Sequence, residues 1–464
     1  MSQRPNILWI YGEDTTAHFG CYGEQTIATP RVDRLAGEGT LFRQAFCTGP
    51  VCSASRSGVI TGSYQTAVGA HHHRSSRGVE SIHLPAGVEP LPRLMQRAGY
   101  WTSLQAEPVG DGRLGKTDYN FAWPRAMFDG TELGQRPDDR PFFAQITLWG
   151  GKHRESATWH DRARTVLGSL TDPQSVELPP YYPRDPVFLA DWADYLDTVR
   201  YTDQQVGQIL DRLDAEGLAD STLVVFLADH GISQARGKQF LYDEGTKVPF
   251  IVRGPGVPVA VRYDLVQTMD ATAITLAAAG IEQPAWMHAQ NSLSPGYAPR
   301  EATFAARDRC DETIDHIRSV RSAHYKYIRN YDWERPLLQP CAYKDDKKIL
   351  RRLRELHADG ALDEHQARLF APQRAPEELY DLSADRWELH NLVDQPELSP
   401  VLADMRRRLD QWVVSSPDLG AEPEPQAMYD SDMAAYLHDV RGRPDYCAVV
   451  RANIAEQKAW RGWS

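Results

Sequence analysis

Residues Asn6-Ile-Leu-Trp-Ile-Tyr11 form an uninterrupted apolar run that breaks at Gly12 into the acidic pair Glu13-Asp14. A run this short, built of aliphatic and aromatic side chains, predicts a strand buried on both faces. Comparable runs recur at Tyr100 to Leu104, Phe142 to Leu148 and Leu223 to Leu227, with helical patterns between them. The alternation predicts an α/β fold, a large mixed or parallel sheet sandwiched by helices. In such sheets ligands gather outside the carboxyl ends of strands. Glu13-Asp14 after the first run and Asp229-His230-Gly231 after Leu223 to Leu227 can therefore meet, offering three carboxylates and one imidazole.

Working outward, Thr29-Pro30 reads as the start of a helix that Gly37 or Gly39 ends, and Asp191 to Leu218 carries a longer helical pattern. Val261 to Gly280 reads as a strand leading into a helix, and Tyr325-Lys-Tyr-Ile328 as a further strand. Lys344 to Arg354 is a dense basic run, read as a solvated helix face. The change of texture there predicts a catalytic domain over residues 1–340 and a smaller α+β subdomain over 341–464. The second part holds an amphipathic helix at about Pro400 to Val414, a linker at Glu422-Pro-Glu-Pro425 and a last segment with Trp460 and Trp463.

A chain of 464 residues is long enough for a large domain and a small one. Its 42% hydrophobic and 25% charged content is that of a globular protein. A net charge of -12 argues against nucleic acid as a partner, because that binding rests on phosphate neutralisation by Lys and Arg. An anionic substrate would need a local basic cluster. No run reaches the roughly 18 apolar residues of a membrane span, and the amino-terminal Met-Ser-Gln-Arg-Pro lacks the layout of a signal peptide. The expectation is a cytoplasmic protein with no membrane partner. Six cysteines without a CxxC pair do not suggest a disulfide scaffold or a structural zinc site, and leave one free to be chemical.

The most constrained stretch is Cys52-Ser-Ala-Ser-Arg56-Ser-Gly-Val-Ile-Thr61-Gly62. It resembles the signature of the sulfatase family: Cys, any residue, Pro or Ala, any residue, Arg, then an apolar pair before Thr-Gly. The resemblance extends from residue 5 to about 415, through Gly115-Lys116-Thr-Asp118-Tyr-Asn120, Pro141-Phe-Phe143 leading to His153, and Gly237-Lys238 leading to Val248-Pro249. Glu377-Glu-Leu-Tyr-Asp-Leu382 with Glu388-Leu-His-Asn-Leu392 resembles the family's smaller domain. It implies an alkaline-phosphatase-like fold and a glycan-directed hydrolase, among which heparan N-sulfatase-like enzymes are similar.

It further implies that a maturation enzyme converts Cys52 to formylglycine, whose hydrate supplies an oxygen nucleophile. A sulfated hemiacetal can then eliminate sulfate, which a serine ester could not do. Arg56, Lys116 and Lys238 would offset the negative charge, and His153 would protonate the leaving group. One divalent ion would be held by Glu13, Asp14, Cys52, Asp229 and His230. Oxygen donors favour calcium or magnesium, and His230 speaks for manganese or zinc; calcium is the expectation. The Ser-Ala-Ser-Arg run suits a helix start, where free N–H groups favour an anion.

Three positions depart from the family pattern: Ala54 stands where Pro is commoner, Glu13 where Asp is usual, and Asp118 where His is usual. Asp118 either takes over a proton role or is structural. His71-His-His73-Arg74 reads either as a substrate-side rim or as a polar turn. The function expected is hydrolysis of sulfate esters or sulfamates of a saccharide, with oligomers open. Two other readings stay beside it: a phosphonate monoester or phosphodiester hydrolase on the same scaffold, and a non-catalytic protein in which Cys52 stays a thiol and the pocket captures sulfated glycans.

Overall fold

The computed structural model describes residues 4–464; the first three residues of the amino-terminal reading lie outside it. Seven strands make the central sheet: β1 (Asn6–Gly12), β2 (Thr40–Phe46), β3 (Trp101–Ala106), β4 (Phe142–Leu148), β5 (Thr222–Ala228), β6 (Phe250–Arg253) and β7 (Ala260–Gln267). Their spatial order is β3-β4-β1-β5-β6-β2-β7. All neighbours are parallel except β6, which runs antiparallel to both β5 and β2. The four apolar runs are thus β1, β3, β4 and β5, and a single reversed strand makes the sheet mixed.

The pleat of β1 shows why its run has no polar side. Leu8 and Ile10 enter a core with residues of α1 (Pro30–Gly37) and α5 (Pro186–Ala215). Ile7, Trp9 and Tyr11 enter a second core with α2 (Cys52–Thr61), α3 (Leu91–Arg97) and α7 (Asp270–Ala278). Each such fully buried aliphatic side chain contributes about 1.5–3 kcal/mol. Between them in sequence lie α4 (Trp159–Leu167) and the short α6 (Asp243–Thr246). The long helix begins five residues before the expected Asp191, because Asp185 accepts from the Val187 N–H and Pro186 fills the first turn, where no donor is needed. Pro30 does the same for α1, but Thr29 does not cap it; its hydroxyl accepts from the Gly20 N–H and donates to Asp33.

A second sheet of four antiparallel strands has the order β11-β10-β9-β8, with β8 (Thr303–Arg307), β9 (Ile317–Arg321), β10 (Tyr325–Asn330) and β11 (Glu377–Asp381). Residue 340 therefore falls between two strands of one sheet. The connection there carries α8 (Ala342–Asp345), α9 (Lys348–Ala358) and α10 (Glu364–Ala367), and α11 (Ser399–Ser415) covers the sheet. The basic run is not uniformly solvated, as expected from its composition. Ile349, Leu350 and Leu353 bury one face of α9, and Lys344 is itself buried, donating to the carbonyls of Gln234 and Ala235.

The tail forms α12 (Gln426–Asp439) and α13 (Pro444–Arg461). What reads as a linker is anchored: buried Arg309 donates to Glu424 at 2.6 Å and also to Asp432. Asp432 in turn accepts from the backbone N–H groups of Arg77 and Gly78 at 2.9 and 3.3 Å. A Cβ on Gly78 would stand 1.9 Å from Ser431 Oγ, so only glycine lets this loop close on α12. No helix of the described residues is long and apolar enough to cross a membrane.

Candidate active site

Five parallel strands point their carboxyl ends at one place. β1 delivers Glu13-Asp14, β5 delivers Asp229-His230, β2 leads to Cys52 at the first turn of α2, β3 leads to Lys116, and β4 leads to Lys152. The ends of β1 and β4 approach so closely that a Cβ on Gly150 would lie 2.3 Å from the Glu13 carbonyl, and one on Gly151 would lie 2.3 Å from that of Asp14. Asp14 itself has φ 48°, a left-handed conformation that turns its carboxylate toward α2.

Cys52 is fully buried. Its Sγ lies 3.1 Å from His230 Nε2, 3.2 Å from Lys238 Nζ, 3.7 Å from Lys152 Nζ and 3.9 Å from Asp14 Oδ1. Burial raises the thiol's pKa, but Lys116, Lys152 and Lys238 outweigh it and bring it down to about 7. The buried Cys52 thus sits where the positive field converges.

Asp14, Cys52, Asp229 and His230 offer ligand atoms that all lie within 4.8 Å of one another. Asp14 Oδ2 is buried without a hydrogen-bond partner, as a cation ligand would be. His230 Nδ1 faces the Gly231 carbonyl at 2.8 Å, which places the proton there and leaves Nε2 as the donor atom toward an ion. Asp229 is held by the N–H groups of Asp14 and His230, both at 3.0 Å. These four groups fit one divalent cation by number and type.

Glu13 lies outside that group. Its carboxylate accepts from Arg56 at 3.2 Å, from Lys116 at 3.0 Å and from Lys152. Burial works against the charge, yet Lys116, Lys152 and Arg56 hold its pKa at about 2. The extra methylene of Glu carries the carboxylate past the ion cluster into a ring of cations, so its expected place among the ligands is replaced by a clamp on three positive side chains. Arg56 also pairs with Asp229 at 3.4 Å and lies 4.3 Å above the Tyr11 ring. Lys116 and Arg74 flank Asp118 at 3.3 and 3.6 Å; despite burial they hold it well below the usual carboxylate range. Asp118 is thus held ionised, paired with both Lys116 and Arg74.

His153, expected at the leaving group, makes its contacts elsewhere. Its ring stacks on Trp159, Nδ1 faces Arg162 at 3.2 Å and Nε2 lies 3.8 Å from Glu107. The tight turn Gly150–Glu155 sends successive side chains in different directions, and Lys152 is the one that enters the site. Sequence reasoning missed Lys152. Its only signal was adjacency to the position singled out.

In the histidine run His71 and His73 are buried and His72 half-buried, while Arg74 after them is exposed beside Asp118. His73 Nδ1 accepts from the Ser53 backbone N–H at 3.4 Å and lies 2.9 Å from the Ser53 hydroxyl, which itself accepts from the Arg74 N–H. Burial, then Arg318, brings His71 to about 3, and burial likewise holds His72 and His73 well below the ordinary imidazole range. Through Ser53, His73 supports the start of α2.

Known proteins define the class. The family model described as Sulfatase matches residues 5–281. The chain belongs to the sulfatase family and is a sulfuric ester hydrolase. It is 30% identical over 469 residues to an ulvan-active sulfatase of Formosa agariphila, covering 91% of this chain and 77% of that one. It is 28% identical over 461 residues to the N-sulphoglucosamine sulphohydrolase of Homo sapiens, covering 88% and 89%. A solved phosphonate monoester hydrolase from Silicibacter pomeroyi shares the fold with a TM-score of 0.61 at 17% identity, over 89% of this chain and 96% of that one.

Proposed function

We propose that this sulfatase removes sulfate from a saccharide, as an ester or a sulfamate, using formylglycine made from Cys52 by a maturation enzyme. The observation that carries the reading is the position of Cys52: buried, at the amino end of α2, with Lys238 at 3.2 Å and Lys152 at 3.7 Å. Its Sγ stands in for the oxygen of the matured residue. The saccharide rests on the relatives, named for ulvan and for N-sulphoglucosamine.

In this reading Asp14, Asp229, His230 and residue 52 would hold one divalent ion, calcium by preference, which would supply Lewis-acid polarisation of the sulfate. Lys152 and Lys238 anchor sulfate oxygens, and Arg56 and Lys116 keep Glu13 ionised and fixed. Such preset charges stabilise developing negative charge without reorganising. His153 would need to swing away from Trp159 to protonate a leaving group.

The test is a turnover screen of sulfated saccharides, aryl sulfates and phosphonate monoesters, using protein whose residue 52 has been characterised by intact mass. Release of sulfate from a saccharide by the converted form, and not by the thiol form, is the expected result. Preference for phosphonate esters would select the hydrolase whose fold this chain shares. Saccharide binding without turnover, by protein whose residue 52 stays a thiol by intact mass, would select the non-catalytic reading.

A further inference from the structure

A cleft of about 1200 Å³ opens between the Gly150–Glu155 turn with α4 and α5 on one side and α8, α9 and the start of α13 on the other. That exceeds the roughly 300–1,000 Å³ of a pocket for one small ligand. Its link to the catalytic centre is Tyr343, whose ring lies 5.1 Å from Lys238 Nζ on the site side and 4.6 Å from Lys347 Nζ on the cleft side. The hydroxyl of Tyr343 is fixed by Ser233 at 3.1 Å and Glu155 at 3.3 Å. Tyr446 adds a second aromatic wall.

The charge of the cleft opposes that of the chain. Arg154, Arg164, Lys347, Lys348, Arg351 and Arg443 line it, against four carboxylates, in a protein whose net charge is -12. The carboxylates are already engaged: Glu155 with Lys347, Asp191 with Arg154, Asp194 with His160, and Asp346 with both Arg351 and Arg443. Arg164 and Lys348 have no ion-pair partner among the described residues. Arg154 is almost wholly buried, and its Nη1 lacks any hydrogen-bond partner. Lys348 and Arg351 are three residues apart, so they share one face of α9, opposite buried Ile349, Leu350 and Leu353.

We propose that this cleft binds further anionic sugar units of an oligosaccharide whose sulfated unit lies at residue 52. The proposal rests on the saccharide sulfatase reading and extends it: the substrate is an acidic chain, held beyond the unit that reacts. Arg154 and Lys347 flank the units next to Tyr343, and Lys348, Arg351, Arg164 and Arg443 take the outer ones. Aromatic walls beside converging polar groups suit sugar rings, which carry apolar faces between their hydroxyls.

The experiment uses the full chain and two probes, a heparin-derived hexasaccharide and the disaccharide of the same repeat, with binding followed by calorimetry. The double variant Lys348→Ala/Arg351→Ala and the single variant Arg164→Ala change exposed side chains, and thermal melting confirms that they fold. The hexasaccharide is expected to bind the double variant about tenfold more weakly, and the disaccharide to change by less than about twofold. Wild-type protein that does not bind the hexasaccharide, an unchanged hexasaccharide affinity, or equal losses on both probes would overturn the proposal. Binding is read independently of turnover. A length-dependent loss of binding in protein that releases no sulfate from any saccharide would sustain the cleft and sink the sulfatase substrate assignment.

Discussion

Lys152 Nζ stands 3.7 Å from Cys52 Sγ while also donating to Glu13, so one cation joins the nucleophile position to the carboxylate clamp. Lys152→Ala is expected to lower kcat by about 10²–10³-fold, the usual loss when one fixed transition-state donor is removed. His153→Ala should change kcat by less than about tenfold and lower the melting temperature, because the ring is packed on Trp159. Steady-state kinetics on the two variants separates them, and the reverse order of losses would return the site to His153.

Metal content should divide the two acidic residues that follow β1. Asp14→Asn and Asp229→Asn are expected to lose the bound ion, since both belong to the group of converging ligand atoms. Glu13→Gln should keep the ion and still lose activity, because Glu13 holds Arg56, Lys116 and Lys152 instead. Elemental analysis of the purified variants gives the answer, and equal loss of metal in all three would place Glu13 among the ligands.

Much of this was legible in the residues. The apolar runs gave strands close to their true limits because burial on both faces leaves no polar interruption. Converging strand ends brought Glu13-Asp14 and Asp229-His230 together before any coordinates, and the family resemblance added Cys52 to them. Lys152 and the place of Glu13 were not legible, because each depends on the direction in which a side chain leaves a tight turn, which a one-residue shift reverses. The buried Lys344 was hidden inside a run whose composition said surface. Its partners, the carbonyls of Gln234 and Ala235, lie more than a hundred residues away.

Gly151 offers a test that touches no charge. Gly151→Ala sets a methyl 2.3 Å from the Asp14 carbonyl, so β1 or the turn after β4 must move. Overpacking of this kind costs about 1–3 kcal/mol. Metal affinity should fall together with the melting temperature, and a variant with full metal occupancy and activity would show that the two strand ends are separately adjustable.

A pH dependence of stability follows from Glu244. Burial raises its carboxyl pKa to about 7, against the opposing hydrogen bonds of Tyr181 and Tyr182, and Oε2 is buried without a partner. Folded protein therefore keeps a proton that unfolded protein releases near its ordinary value of 4.5. Stability from this group is present at low pH, falls as pH rises through that window and is lost above about 7. Its size is on the order of a few kcal/mol. Glu244→Gln should flatten this fall, so that the variant gains on the wild type between pH 5 and about 8 in melting temperature. Parallel curves would place the proton elsewhere.

The clasp of Asp432 on Arg77 and Gly78 joins residues up to 355 positions apart. A contact between segments so distant in sequence is among the last that a growing chain can make. The ribosome will already have released the whole central sheet before α12 arrives to secure the loop that follows the nucleophile helix. Closure of that loop is thus deferred until α12 has been made, and a chain cut short after α11 would hold its strands in order yet leave the loop without its lock.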